Sequence, residues 1–190
     1  MKSKLIMLTL ALSCAVAGNA MALTKDEYKT QKDRVEADYK ASHDKCKSLT
    51  ANARDICQAE AKGAEKVAKA ELEAQYKPSP RHDRQVAEAK ADAAYDIAKE
   101  KCDDLKGNAK DVCVKDAKAA RTTAKADAKV SKVSADANKD KAGAMADAKK
   151  DASADKNDAL YKAAKERCDA MTGNAKDACQ NDAKAKFGMK

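Results

Sequence analysis

Large apolar side chains are sparse beyond the first two dozen residues, and one pattern that includes them recurs. A tyrosine, a cysteine seven residues on and a leucine or methionine three beyond that recur as Tyr39-Cys46-Leu49, Tyr95-Cys102-Leu105 and Tyr161-Cys168-Met171. Offsets of 0, 7 and 10 fall on one face of an α-helix. A second cysteine follows each set, at Cys57, Cys113 and Cys179. Between the two cysteines stand Asn52-Ala53-Arg54-Asp55, Asn108-Ala109-Lys110-Asp111 and Asn174-Ala175-Lys176-Asp177. An acid, Ala and Lys close each unit, as Glu60-Ala61-Lys62, Asp116-Ala117-Lys118 and Asp182-Ala183-Lys184. This is internal duplication.

The pattern predicts helix, very tight turn, helix in each copy. Gly107 and Gly173 stand where a helix takes a left-handed C-terminal residue. Asn52, Asn108 and Asn174 read as N-caps of the following helix, and the Asp three residues later gives a signature like a capping box. Ala51 replaces the glycine in the first copy, so its turn is the least marked. In an antiparallel hairpin the two cysteines of a copy lie side by side. In one continuous helix they stand about 16 Å apart at 1.5 Å rise per residue, beyond the roughly 4.4–6.8 Å between Cα atoms that a disulfide spans. The Gly-Asn turns favour the hairpin and local pairs Cys46–Cys57, Cys102–Cys113 and Cys168–Cys179, out of fifteen pairings open to six cysteines. Seven residues after the second cysteine come Ala64 and Ala120, expected to lie under the rings of Tyr39 and Tyr95. Lys186, beside Phe187, departs from this in the third copy.

Outside the repeats the chain changes character. Lys77-Pro78-Ser79-Pro80 is the clearest break. The expected organisation is a leader over 1–22, a hairpin over 23–77, a Pro linker at 78–80, a second hairpin over 81–120, a connector over 121–158 and a third hairpin over 159–190. The connector is Ala, Lys, Asp and Ser, with Val130, Val133 and Met145 as exceptions, and its units recur irregularly. It predicts one long exposed helix, or a partly disordered segment, since propensity without packing leaves a helix marginal.

Composition sharpens the fold class. Ala and Lys abound, Trp is absent and Phe187 is the single phenylalanine. The expectation is an all-α chain of three stapled hairpins, extended rather than globular. Alanine carries little apolar area, so the core is thin and leans on charge pairs and covalent staples.

The N-terminus bears on compartment. MKSKLIMLTLALSCAVAGNAMA has two lysines, an apolar run too short for a membrane span, and small residues at Ala20 and Ala22. It reads as a secretory signal cleaved after Ala22. Cleavage discards Cys14 and two lysines, so the formal charge falls from +8 to +6. Ala11-Leu12-Ser13 before Cys14 is a poor match to a lipid-attachment site. Six cysteines then remain in an exported chain, which favours a disulfide framework and a periplasmic location, without a transmembrane anchor.

Catalytic signatures are few. The chain has no CxxC, no CxxCH, no Gly-rich phosphate loop and no G-x-S-x-G. His43 lies three residues before Cys46, which invites a metal reading with Cys57, but the other copies lack the histidine and structural zinc takes four ligands. The expectation is therefore no enzyme, no cofactor and no metal. The charges are interspersed, and the lysine-rich stretch lacks aromatic residues for stacking bases.

The stretch ADAKVSKVSADANKDKAGAMADAKKDA resembles the Ala/Lys-rich helical repeat proteins exported to Gram-negative cell envelopes, some labelled TolA-like cell-envelope biogenesis proteins. The resemblance lies in composition, and the cysteine hairpins depart from it. A similar composition marks the late-embryogenesis-abundant stress proteins. The leader, the duplicated hairpins and the lack of catalytic signatures point to a non-catalytic structural or interaction protein of the periplasm, with a stress-protective role open. The expected partner is an envelope protein or an anionic envelope polymer, and oligomerisation through helix packing is open. Two alternatives are a thiol-redox or metal-binding protein using the cysteine pairs, and a binder of lipopolysaccharide or nucleic acid whose affinity would fall with salt.

Overall fold

A computed structural model of the chain describes residues 22–136 and 141–189. Apart from Ala22, the expected leader lies outside these residues. The described residues form six α-helices: α1 (Lys25–Cys46), α2 (Ala51–Tyr76), α3 (Pro80–Cys102), α4 (Gly107–Ala135), α5 (Lys141–Cys168) and α6 (Gly173–Phe187).

Each helix packs only on its neighbours in the chain. Neighbours run in opposite directions. The Leu23 N–H donates to the Gln75 carbonyl at 3.4 Å, joining the start of α1 to the end of α2. Lys66 pairs with Asp96 and Lys90 with Glu71 across α2 and α3. Asp92 of α3 takes Arg121 and Lys125 of α4, and Lys129 of α4 reaches Asp151 of α5. The described chain is thus an up-and-down meander in a single layer. It resembles repeat arrays in which each unit rests on the one before it.

A single layer explains the thin core. The buried set is almost wholly alanine and cysteine, with Leu72 the one large aliphatic member. Small side chains let helix axes approach closely. The limiting case is Gly63, where an added Cβ would stand 2.9 Å from the Ala93 Cβ. One repeat later Ala119 takes this position and clusters with Ala159 and Ala163 of α5.

The 121–158 segment is not one long helix. It is divided between the end of α4 and the start of α5, which fold back on each other. Ala126, Ala128, Ala148 and Ala152 are buried, and Lys129–Asp151 and Lys156–Asp127 bridge the two helices of the fold-back. An alanine stripe that would be marginal in water gains a partner in this way. The Pro segment likewise does not hold hairpins apart. Ser79 caps α3, its hydroxyl accepting from the His82 N–H, and Pro80 occupies the first turn, where its missing N–H costs nothing.

α1 opens on a signal that the Tyr-Cys pattern does not reveal. Thr24 and Glu27 form a complete capping box, in which the Thr24 hydroxyl accepts from the Glu27 N–H and the Glu27 carboxylate accepts from the Thr24 N–H.

Candidate functional site: the stapled edge

The three copies converge at one end of the layer. Each contributes a disulfide, a tight turn and an asparagine. Cys46–Cys57, Cys102–Cys113 and Cys168–Cys179 are bonded, with Cα atoms 5.6, 5.7 and 5.7 Å apart. In each, the first cysteine ends a helix and is fully buried, while the second lies in the second turn of the next helix. A loop of this length, closed covalently, is stabilised by about 2–3 kcal/mol. The bond also occupies the sulfurs of Cys46 and Cys57, which removes them as thiolate ligands beside His43; that imidazole instead lies 5.6 Å from the Tyr39 ring. Among the described residues no cluster of three or more His, Cys, Asp or Glu side chains is placed to hold a metal ion.

Gly107 and Gly173 are left-handed, each with φ of 56°. Ala51 adopts the same conformation at φ 48°, so the first copy makes the same turn with a residue that disfavours it. These residues do not follow the end of one helix as expected. They open the next one, and four residues after the cysteine separate each from the preceding helix.

The asparagines are not N-caps. Thr50, Lys106 and Thr172 hold those positions, with no side-chain cap bond. The Asn52 side-chain amide donates instead to the Glu100 carbonyl of α3 at 2.8 Å, and that of Asn108 to the Glu166 carbonyl of α5 at 3.1 Å. The last carbonyls of a helix have no partner within it, and a neighbouring amide supplies one. Each copy therefore closes the helix end of the next copy. Asn174 is exposed, and among the described helices α6 packs on α5 alone. The repeat of Asn at one place in each unit was the signal in the sequence; its partner was not legible there.

An ion pair repeats beside the asparagine. Glu60 pairs with Lys101, and Asp116 pairs with Arg167, joining α2 to α3 and α4 to α5. Within the second and third turns, Lys110 reaches Asp103 at 3.0 Å and Lys176 reaches Asp169 at 2.9 Å. The Lys176 ammonium holds the Asp169 carboxyl below the usual carboxylate range. In the first copy Arg54 donates to the Leu49 carbonyl instead.

Leu49, Leu105 and Met171 do not pack with the tyrosines and cysteines on a helix face. They fall in the turns and are 38, 42 and 44% exposed. Because Asn52 spans from the first turn to the end of α3, and Asn108 from the second turn to the end of α5, the three turns share one edge. Ala64 and Ala120 are exposed rather than covered by rings. The Arg121 guanidinium lies over the Tyr95 ring, 5.1 Å from its centre.

The remaining surface is paired charge and shallow furrow. Asp92 is raised by burial, and the hydrogen bonds from Lys125 and Arg121 outweigh this and hold it below the usual carboxylate range. Open furrows of about 130 and 510 Å³ run along α4, the larger lined by Pro80, Ala87, Ala124, Ala128 and Ala135 among others. No helix among the described residues is long and apolar enough to cross a membrane. Three disulfides point to an oxidising compartment. Compared with protein-family models, with curated proteins and with solved structures, the chain finds no match.

Proposed function

We propose that the chain is a non-catalytic structural or interaction protein of the Gram-negative cell envelope, acting in the periplasm, and that the stapled edge is its working surface. One observation carries this reading: Leu49, Leu105 and Met171 are large apolar residues exposed at equivalent positions of three turns. A single exposed leucine is ordinary. Three in register along one edge, each on a covalently closed turn, are a patterned contact surface. The staples hold that surface in shape before binding, which lowers the ordering cost of association. The partner is an envelope component with an apolar face.

A strain lacking the chain, challenged by osmotic shock, detergent and drying, tests this. The strain should be sensitive, and tolerance should be restored by the natural chain and not by the L49S/L105S/M171S triple variant accumulating to the same level. Absence of any stress phenotype, or full rescue by the triple variant, sinks the reading.

A further inference from the structure

The joints between copies have counterpart halves that stay exposed on α1 and α6 among the described residues. The α2/α3 and α4/α5 joints are built alike. In the first, Asn52 closes the Glu100 carbonyl, Glu60 pairs with Lys101, and Gly63 sits on Ala93 and Ile97. In the second, Asn108 closes the Glu166 carbonyl, Asp116 pairs with Arg167, and Ala119 sits on Ala159 and Ala163.

The donor half of a third such joint lies on α6. Counted from the second cysteine, Asn174, Asp182 and Ala185 are the counterparts of Asn52, Glu60 and Gly63. All three are exposed, and Asp182 makes no ion pair with a described residue. The acceptor half lies on α1. Counted from the first cysteine, Asp44, Lys45, Ala37 and Ala41 are the counterparts of Glu100, Lys101, Ala93 and Ile97. They too are exposed, and Lys45 has no ion-pair partner among the described residues. Within one chain α1 and α6 make no contact, so the halves do not meet.

We propose that the free face of α6 receives α1 of a second copy, head to tail, with Ala185 seated on Ala37 and Ala41, Asp182 paired to Lys45 and Asn174 donating to the Asp44 carbonyl. The occupant is argued from continuity with the two joints already inside the chain. The same step repeated makes a heterologous contact, which extends until it closes into a ring or runs on as a filament. α6 has 15 residues against 26 and 29 for α2 and α4, so the outer joint is shorter and its association weaker and reversible. Repetition would also carry the row of apolar turns from one copy to the next. The inference concerns the purified chain and does not depend on the envelope role.

Sedimentation equilibrium of the oxidised mature chain tests it. The average mass should rise with concentration up to about 1 mM, the range of weak contacts, without levelling at a dimer. A185R, which sets a long cation on the seat, should abolish the rise, whereas A64R, on an exposed face of α2 outside the joint, should leave it unchanged. K45D and D182K should each weaken association about fivefold, and the K45D/D182K exchange should restore it. Helicity measured in parallel keeps folding apart from association. A chain that stays monomeric throughout, a plateau at dimer, indifference to A185R, or failure of the charge exchange to rescue overturns the proposal.

Discussion

The side-chain amide of Asn52 donates to the backbone carbonyl of Glu100 across 2.8 Å, from the first turn of α2 to the last turn of α3. The same Glu100 carbonyl accepts the Asp103 N–H at 3.1 Å. A helix C-terminus is thus finished by its own chain on one side and by the preceding repeat on the other. Asn108 does the same for Glu166. These bonds tie one stapled turn to the next, and they make the turns a continuous edge.

Replacing Asn52 or Asn108 with Ala should each cost about 1 kcal/mol, the loss of a hydrogen bond together with a partly buried carbonyl left short of a partner. Asn174→Ala should leave the stability of the dilute monomer unchanged. Urea titration at low chain concentration measures all three; equal losses at the three sites would mean that the asparagines act within their own turns.

Ala51→Gly should stabilise the chain by about 1 kcal/mol, because Ala51 holds the left-handed conformation at φ 48° that glycine adopts freely. Gly107→Ala should lose a similar amount in the second copy, where no neighbouring atom crowds the added methyl and backbone strain alone acts. Thermal unfolding of the pair shows the opposed signs.

Removing the third disulfide as C168A/C179A should affect one helix most. α6 is the shortest helix and packs on α5 alone, and an isolated helix of its length is marginal in water. Loss of about 2–3 kcal/mol there should free α6 while α2 to α4 stay folded. Hydrogen exchange should lose protection over residues 173–187 only; uniform loss along the chain would show a single cooperative unit.

Acid should loosen the α3/α4 joint through Asp92. Lys125, at 2.8 Å, and Arg121 lower its pKa in the folded chain despite burial. A depressed folded pKa gives stability that is present above the unfolded Asp value of about 3.9 and is lost as pH falls through the folded value. Asp92→Asn should therefore destabilise the chain at neutral pH and flatten the acid limb of its stability profile below about pH 4. An unchanged acid limb would place the sensitivity elsewhere.

Much of the fold is legible in the sequence. Tyr and Cys at helical spacing, and a Gly-Asn turn between paired cysteines, carry helices and local disulfides, because these depend on interactions between residues close in the chain; the Leu or Met three residues on shared the spacing but falls in the turn. Thr24-Lys25-Asp26-Glu27 was equally local, yet it falls outside the repeat and shows only once α1 has a defined start. How the connector packs was not legible in the sequence, for a physical reason. Ala, Lys and Asp favour helix whether exposed or packed, so propensity does not distinguish one long rod from two helices folded together; Lys129–Asp151 and the burial of Ala148 and Ala152 do.

The sequence by itself determined the helical class, the threefold repeat and the covalent closure of each turn. Only the tertiary structure decided which carbonyls Asn52 and Asn108 meet, that Leu49, Leu105 and Met171 are exposed on one edge, and that α1 and α6 each pack on one neighbour among the described helices. Helix formation and turn closure act over a few residues and are written in spacing. Packing of small side chains is nearly the same in every register, so the choice of neighbour rests on ion pairs and amides between residues far apart in the chain, such as Asn52 and Glu100.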